Sequence, residues 1–386
     1  MFPSLTAERL SDGQEVRSLS QSKKHATSLE MTFIVILFEI GSTPMFVLGS
    51  KAKQDAWLAM SVGAAAGFAL LLLFLWIQRR LPEMELAGML RFGFGRIAGG
   101  LISAIYCCYF AYESMRNLRD FGELTAIILL PATPMSITML VFLMIGVYAI
   151  WKGVKTIFRL PEILLPGLIL CYFVLIIMFL LMKIADFRRL MPVAENGLRP
   201  ILNTALPDIV SFPFGQIIVF LLLWSLWNRP GVPAKQTIWA YIGVSLFLIF
   251  MEATNIAVLG PDLTHSSVLP LLKAVRTLSG LRFIERLDIL VTFMIFIGLM
   301  IKMLIFFYCS VRMASLLTNK SEKIWVIAVG AVIYAASFIE RDYTQHIAIG
   351  LGPSLKIDVI FQVAIPLVLA LAVALRGHKG FIPPGQ

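Results

Sequence analysis

The stretch Leu206–Trp227 reads LPDIVSFPFGQIIVFLLLWSLW and is long and apolar enough to cross a bilayer as a helix. Its first half contains Pro213, which has no amide hydrogen, and Gly215, which is a poor helix former. The sequence therefore predicts a membrane helix that is broken at this point. Backbone groups freed by the break need partners from protein, water or a ligand, because lipid supplies none. A small-molecule site is one interpretation, and a proline kink packed against neighbouring helices is the other.

A second broken span lies near the start of the chain, in Met31–Leu48, MTFIVILFEIGSTPMFVL. Two interrupted spans at corresponding places in the two halves of a chain are typical of inverted-repeat transporters. In that architecture the binding site lies at the midplane, between the two breaks. We therefore predict ligand contacts from both breaks. The predicted ligand-binding residues are Gly41, Ser42, Thr43 and Pro44 at the first break, and Ser211, Phe212, Phe214, Gly215 and Gln216 at the second.

The composition identifies an integral membrane protein. The 386 residues are 59% hydrophobic and 15% charged, whereas a soluble domain is nearer half apolar and a quarter charged. The formal net charge of +10 comes from Lys and Arg concentrated between apolar spans, where they set topology and meet anionic lipid. No nucleic-acid partner is therefore predicted. The sequence contains no nucleophile elbow, phosphate loop or metal motif, so we predict no enzyme activity, no cofactor and no metal.

Ten apolar spans are predicted, separated by short polar segments. Residues 1–30 are interpreted as a polar cytoplasmic tail without a cleavable signal, and residues 376–386 as a short C-terminal tail. Lys and Arg in the early loops favour an orientation with both termini in the cytoplasm. The spans begin near Met31, Trp57, Ile97, Met135, Glu162, Asp208, Lys235, Arg286, Ile324 and Leu355.

The ten spans divide into two sets of five. Repeat one covers about residues 31–183, repeat two about 206–375, and the broken spans are the first of each set. An odd number of spans per repeat inverts the second repeat relative to the first. The predicted fold is therefore an all-α membrane domain over residues 31–375, with a 5+5 inverted repeat and discontinuous first and sixth helices.

Six segments stand out along the chain: EIGSTPMFVLGSKAKQDAWLAM (39–60), FGRIAGG (94–100), NLRDFGELTAIILLPATP (117–134), RRLMPVAENGLRPILNTALPDIVSFPFGQ (188–216), IAVLGPD (256–262) and LSGLRFIERLDIL (278–290). In this order and spacing they resemble the spore-germination receptor B subunits, also called endospore germination permeases. The resemblance covers nearly everything from residue 30 to residue 375.

One departure from the family pattern concerns Gln216, because the family often has F-P-F-G-E where this chain has FPFGQ. The neutral amide leaves a hydrogen-bonding role open and puts a proton-linked role in doubt.

The resemblance implies a place in the amino acid–polyamine–organocation superfamily, with the LeuT-like fold. It also implies a location in the inner membrane of the spore, beside an A subunit and a lipoprotein C subunit. The expected function is to bind a small germinant, such as an amino acid, between the broken helices and to trigger germination. A proton- or sodium-coupled amino acid transporter is an alternative. So is a structural membrane subunit whose broken helices hold no ligand.

Ionisable residues within the spans are further candidates, because a charge at the centre of a membrane helix costs about 2.5–3.5 kcal/mol and usually faces the bundle interior. Glu39 and Lys302 lie in the first and eighth spans, which are neighbours in such a fold. We predict a buried charge pair there, either beside the ligand or purely structural. Glu113, in the third span, is the next candidate counter-charge. Tyr109 lies one turn from Glu113 and is a predicted ligand contact, with ordinary packing as the alternative.

The histidines show no metal-ligand spacing along the chain. His265, His346 and His378 fall in predicted loops or in the C-terminal tail. We therefore expect all three side chains to face solvent.

Overall fold

The computed structural model describes residues 26–46, 48–267, 269–278 and 287–376. The tail up to residue 25, His378 and the predicted C-terminal tail from residue 377 lie outside these ranges. Within them the chain is built from helices, so the all-α membrane class is confirmed. Seven helical segments are long and apolar enough to cross a membrane: Ser28–Met45, Lys51–Arg80, Val154–Leu181, Leu198–Leu226, Ala234–Leu259, Leu287–Thr318 and Tyr343–Arg376.

The remaining three predicted spans are also helical, but their length or composition differs. The third helix, Arg96–Leu124, has 29 residues and carries charged side chains in its second half. The fourth, Met135–Trp151, has 17 residues. The ninth, Glu322–Ala336, has 15 residues. That these three helices complete a set of ten membrane crossings stays a prediction.

The ten helices are numbered here in chain order, and the short helices between them are named by their residues. The unbroken ones are the second (Ala56–Arg80), third (Arg96–Leu124), fourth (Met135–Trp151), fifth (Val154–Leu181), seventh (Ala234–Leu259), eighth (Leu287–Thr318) and ninth (Glu322–Ala336). Short helices or helical turns lie at Ser50–Asp55, Leu86–Phe94, Phe187–Leu190, Pro261–His265 and Pro270–Leu278.

The first helix, Ser28–Ile40, begins three residues before the predicted start of the membrane domain. Thr27 and Glu30 form a capping box, in which the Glu30 amide donates to Thr27 Oγ1 (3.2 Å) and the Thr27 amide donates to Glu30 Oε2 (2.8 Å). These bonds satisfy amides that have no partner within the helix. Residues 28–30 therefore form the first helical turn.

The first helix ends at Gly41, as predicted. The backbone of Gly41 has φ +32° and ψ −123°, a conformation that residues with a Cβ atom rarely adopt. A short 3₁₀ turn, Thr43–Met45, follows. Thr43 Oγ1 donates to the Glu39 carbonyl oxygen (2.8 Å). The threonine hydroxyl thus satisfies a carbonyl group that the end of the helix leaves free.

The sixth helix is interrupted at the predicted proline. Leu198–Thr204 is α-helical and continues into a π-helical turn, Ala205–Ile209. The chain turns at Phe212 and Pro213, and helical structure resumes as the 3₁₀ segment Phe214–Val219. Two short pieces, Phe220–Leu223 and Trp224–Leu226, complete the segment.

The broken helices lie at the centre of the bundle. Of the apolar window within Leu198–Leu226, 94% is buried inside the protein. The eighth helix packs so closely on the first break that a Cβ atom at Gly298 would overlap the Gly41 carbonyl oxygen. The third helix lies along the eighth, where Ser114 Oγ donates to the Met303 carbonyl oxygen (3.0 Å). These contacts place the first, third, sixth and eighth helices around one interior.

Candidate functional site

A narrow cleft opens where the two helix breaks face the third and tenth helices. Its cavity volume is about 30 Å³, room for little more than a water molecule, so the side chains of its walls nearly fill the cleft in this structure. Its walls are polar on the side of the third helix and mixed elsewhere. The lining residues are Ser42 and Phe46 from the first break, Phe212 and Gln216 from the sixth helix, Glu113, Arg116, Asn117 and Asp120 from the third, and Gly350, Leu351, Ser354, Leu355 and Asp358 from the tenth.

The tenth helix contributes this wall because its backbone departs twice from α-helical geometry. The segment Tyr343–Ile349 is α-helical and is followed by a π-helical turn, Gly350–Ser354, which contains Pro353. A second π-helical turn, Ile360–Ala364, follows after one α-helical turn. Such turns are frequent at functional sites, since the extra residue redirects neighbouring side chains. Gly350 has no side chain, which lets the Arg116 guanidinium lie directly against it.

Four of the predicted site residues line the cleft: Ser42, Phe212, Gln216 and Glu113. Others lie behind it and hold the breaks in place. Ser211 Oγ donates to the Leu355 carbonyl oxygen (2.9 Å), which ties the sixth break to the tenth helix. The remaining predicted contacts, all buried or packed against the wall, are Gly41, Thr43, Pro44, Tyr109, Phe214 and Gly215. Their part in ligand binding stays a prediction.

A hydrogen-bonded chain of three polar groups crosses the bundle beside the cleft. Lys302 is fully buried, and its Nζ donates to Gln216 Oε1 (2.7 Å). Gln216 Nε2 in turn donates to Glu113 Oε2 (2.9 Å). Lys302 Nζ also lies 4.3 Å from the centroid of the Phe212 ring, a cation–π distance. Gln216 thus links a lysine to a carboxylate through two hydrogen bonds.

Glu39 and Lys302 form no direct hydrogen bond among the described residues. Glu39 is fully buried, and neither of its carboxylate oxygens has a hydrogen-bond partner among the described residues. The Lys302 ammonium donates a hydrogen bond to Gln216, because the break in the sixth helix places the Gln216 side chain next to Lys302. Electrostatic coupling between Glu39 and Lys302 stays a prediction. A carboxylate buried without a partner is costly, so Glu39 marks this side of the break as functional or strained.

The expectation that His346 faces solvent is wrong. His346 is completely buried, with Nε2 3.1 Å from Asp120 Oδ1 and Nδ1 in a short contact with Glu340 Oε2. Asp342 caps the start of the tenth helix by accepting from the Gln345 amide (2.8 Å). That cap turns the first turn of the helix inward, against the third helix. Arg116 Nη1 also donates to the His346 carbonyl oxygen (3.2 Å). His265, by contrast, is exposed as expected.

Sequence reasoning missed Asp358 and Gln362, both on the tenth helix. Asp358 lines the cleft and is 3% exposed, and its Oδ1 has no hydrogen-bond partner within the described ranges. Gln362 is fully buried and its Nε2 donates to the Tyr109 hydroxyl (2.9 Å). For Asp358 the available signal was an ionisable residue inside an apolar span, the same signal that identified Glu39.

The predicted tyrosine contact lies one layer behind the cleft. The Tyr109 ring stacks on Phe361, with centroids 4.3 Å apart and planes 8° from parallel. Tyr106, one turn earlier, donates its hydroxyl to the Phe361 carbonyl oxygen (2.5 Å). Both rings are therefore locked against the tenth helix. The Tyr109 ring does not line the cleft in this structure. The Tyr109 hydroxyl accepts a hydrogen bond from Gln362.

The arrangement has the fold of a known membrane transporter. The chain matches the structure of Mhp1, a nucleobase-cation-symport-1 family transporter, in a closed conformation with bromovinylhydantoin bound. The TM-score is 0.62 at 15% sequence identity, over 88% of this chain and 79% of that chain. At this identity the match establishes the fold and leaves the ligand open.

Curated relatives come from Bacillus subtilis (strain 168). Spore germination protein KB is 29% identical over 362 residues, which cover 92% of this chain and 97% of that protein. Spore germination protein YndE is 24% identical and covers 86% of this chain and 94% of that protein. The family model described as spore germination protein matches residues 25–345. The chain therefore belongs to the spore germination permease family.

Proposed function

We propose that this protein is the membrane subunit of a spore germinant receptor and that a small germinant binds in the cleft between the two helix breaks. One observation carries the proposal: residues from both helix breaks line the same cleft as buried charged groups of the third and tenth helices. Binding there contacts the first, third, sixth and tenth helices at once. A ligand that favours one arrangement of these helices shifts the population toward it, and partner subunits read the change.

The proposal also covers the partner subunits, the membrane location and the orientation of the protein. The partners are the A and C subunits of the receptor, and the site of action is the inner membrane of the spore. Both termini lie in the cytoplasm. The resemblance of the sequence to multi-subunit germinant receptors supports the partners and the location, and Lys and Arg in the early loops support the orientation. Two further relatives are named spore germination proteins A2 and B2.

Filling the cleft is expected to weaken the response to germinant. Ser354 is buried and lines the cleft on the tenth helix, so Ser354→Leu places three additional carbon atoms where the ligand would lie. We expect spores with this variant to need at least about ten times more germinant, which corresponds to about 1.4 kcal/mol of binding free energy. The measurement is germination rate against germinant concentration, with the amount of protein followed by immunoblot.

A matched control adds the same side chain away from the cleft. Gly167 lies on the fifth helix, is exposed, and has open space where a Cβ atom would be placed. Gly167→Leu is expected to leave the germinant response unchanged. Normal sensitivity of Ser354→Leu at normal protein levels would remove the cleft as the germinant site.

A secondary transporter is the second candidate, and the fold shared with a cation symporter favours it. Proteoliposomes separate the two functions. For a receptor subunit we expect no accumulation of labelled amino acids under an imposed proton or sodium gradient. Accumulation that depends on the gradient, and that Ser354→Leu abolishes, would establish transport instead.

A further inference from the structure

We propose that Asp358 receives a positively charged ammonium group of the ligand, so that the cleft takes an organic ammonium compound such as a zwitterionic amino acid. This inference rests on the proposed function, because it assigns a ligand class to the same cleft. It adds a residue on the tenth helix that the two helix breaks do not predict.

The first step concerns the free oxygen of Asp358. The side chain is 3% exposed and lines the cleft, and Oδ1 lacks a hydrogen-bond partner in the part of the chain that the structure describes. A buried acceptor without a donor loses its hydrogen bonds to water without replacement, and the cost is larger if the group carries charge. Native proteins rarely leave such a group unsatisfied unless a ligand, ion or water completes the site.

The second step compares the three carboxyl groups on the wall of the cleft. Asp120 Oδ1 lies 3.1 Å from His346 Nε2, within hydrogen-bond distance. Glu113 Oε2 accepts a hydrogen bond from Gln216 Nε2 (2.9 Å), and Gln216 Oε1 accepts one from Lys302 Nζ. For Asp358 no ion pair is found within the described ranges. Of these three carboxyl groups, Asp358 is the one with a buried oxygen that has neither a hydrogen-bond partner nor an ion pair in the described part of the chain.

The cation that lines the cleft does not fill this role. Arg116 is buried against Gly350, and its Nη1 donates to the carbonyl oxygen of His346 (3.2 Å). It attracts Asp358 electrostatically but forms no ion pair with it within the described residues. A ligand ammonium, with three N–H donors, offers Oδ1 both a hydrogen bond and an opposite charge. A neutral hydroxyl offers only the hydrogen bond.

The third step concerns the orientation of Asp358. Tyr109 is within hydrogen-bonding reach of this carboxyl group, and the Tyr109 hydroxyl accepts from Gln362 Nε2 (2.9 Å). The tyrosine ring is fixed by stacking on Phe361. Tyr109 thus lies beside the carboxyl group of Asp358, which lines the cleft and keeps Oδ1 without a partner in the described residues. Tyr109 acts as a positioning residue, and Tyr109→Phe is expected to weaken ammonium binding less than a change of Asp358 itself.

The experiment measures binding of labelled probes to the purified full-length protein in lipid nanodiscs. The probes are the common amino acids, the 2-hydroxy acid that matches each amino acid that binds, and glucose as a neutral polyol. For wild-type protein we expect at least one amino acid to bind at least tenfold tighter than its hydroxy acid. Asp358→Asn should weaken amino acid binding at least tenfold and leave hydroxy acid binding unchanged.

A matched control neutralises another buried carboxylate. Glu252 on the seventh helix is 4% exposed and has an oxygen without a hydrogen-bond partner, but it does not line the cleft. Glu252→Gln is expected to leave the binding of every probe unchanged. If Asp358→Asn does not fold, the ratio of amino acid to hydroxy acid affinity in the wild-type protein still decides the question.

The outcomes separate this inference from the proposed function. Equal affinity for the amino acid and its hydroxy acid, or unchanged amino acid binding by Asp358→Asn, would overturn the ammonium subsite. So would binding of glucose without binding of any amino acid. In each case, loss of the remaining binding in Ser354→Leu would keep the cleft as the ligand site. Binding that Ser354→Leu leaves intact would remove the cleft itself.

Discussion

Lys302→Met is expected to reduce the stability of the folded protein severely, by about 3–5 kcal/mol, since breaking a buried charge network leaves the other members uncompensated. Gln216 loses the donor at 2.7 Å. Glu39 and Glu113 remain buried without the nearby ammonium. The measurement is the thermal unfolding of the purified protein in detergent, together with its amount in the membrane.

A control substitution and a double-mutant cycle identify the carboxylate that balances the charge of Lys302. Lys356→Met changes an exposed lysine on the tenth helix and is expected to shift stability by no more than about 0.5 kcal/mol. Adding Glu39→Gln to Lys302→Met should recover part of the loss, because it removes a charge that was left behind. If the two losses simply add, Glu39 is not the partner and Glu113 takes that place. A stable Lys302→Met protein would show that the network contributes nothing.

His346→Ala is the second change with a large expected effect. Both imidazole nitrogens contact carboxylate oxygens, of Asp120 and Glu340. When both carboxyl groups are ionised they only accept hydrogen bonds, so both ring nitrogens then donate and the ring is an imidazolium. Its removal leaves two carboxylates facing each other, and we expect a loss of about 3–5 kcal/mol. Thermal unfolding of the purified protein measures it.

A second histidine provides the comparison. His265 is exposed at the end of the short helix Pro261–His265, so His265→Ala is expected to have almost no effect. The triple change His346→Ala with Asp120→Asn and Glu340→Gln should recover much of the stability, because no charge is then left unpaired. Wild-type stability of His346→Ala would mean that Asp120 and Glu340 are held by other groups.

The outline of the fold was readable from local features of the sequence. Apolar runs of sufficient length place the spans, and the positions of proline and glycine place the two breaks. Gly41 has the positive φ that ends the first helix, and the sixth helix is interrupted around Pro213. Glu113 and Gln216 were identified because they lie beside such features or inside a span, and both line the cleft. These signals depend on composition and neighbouring residues alone.

The choice of partners was decided only by the tertiary structure. Gln216, and not Glu39, receives the Lys302 ammonium, because the rotation of the sixth helix after its break brings the amide there. His346 is buried since the first turn of the tenth helix packs on the third helix. Asp358 enters the cleft through the π-helical turns that flank it. Hydropathy and spacing determine which segments are helices, whereas the rotation and register of each helix depend on contacts with residues far away in the chain.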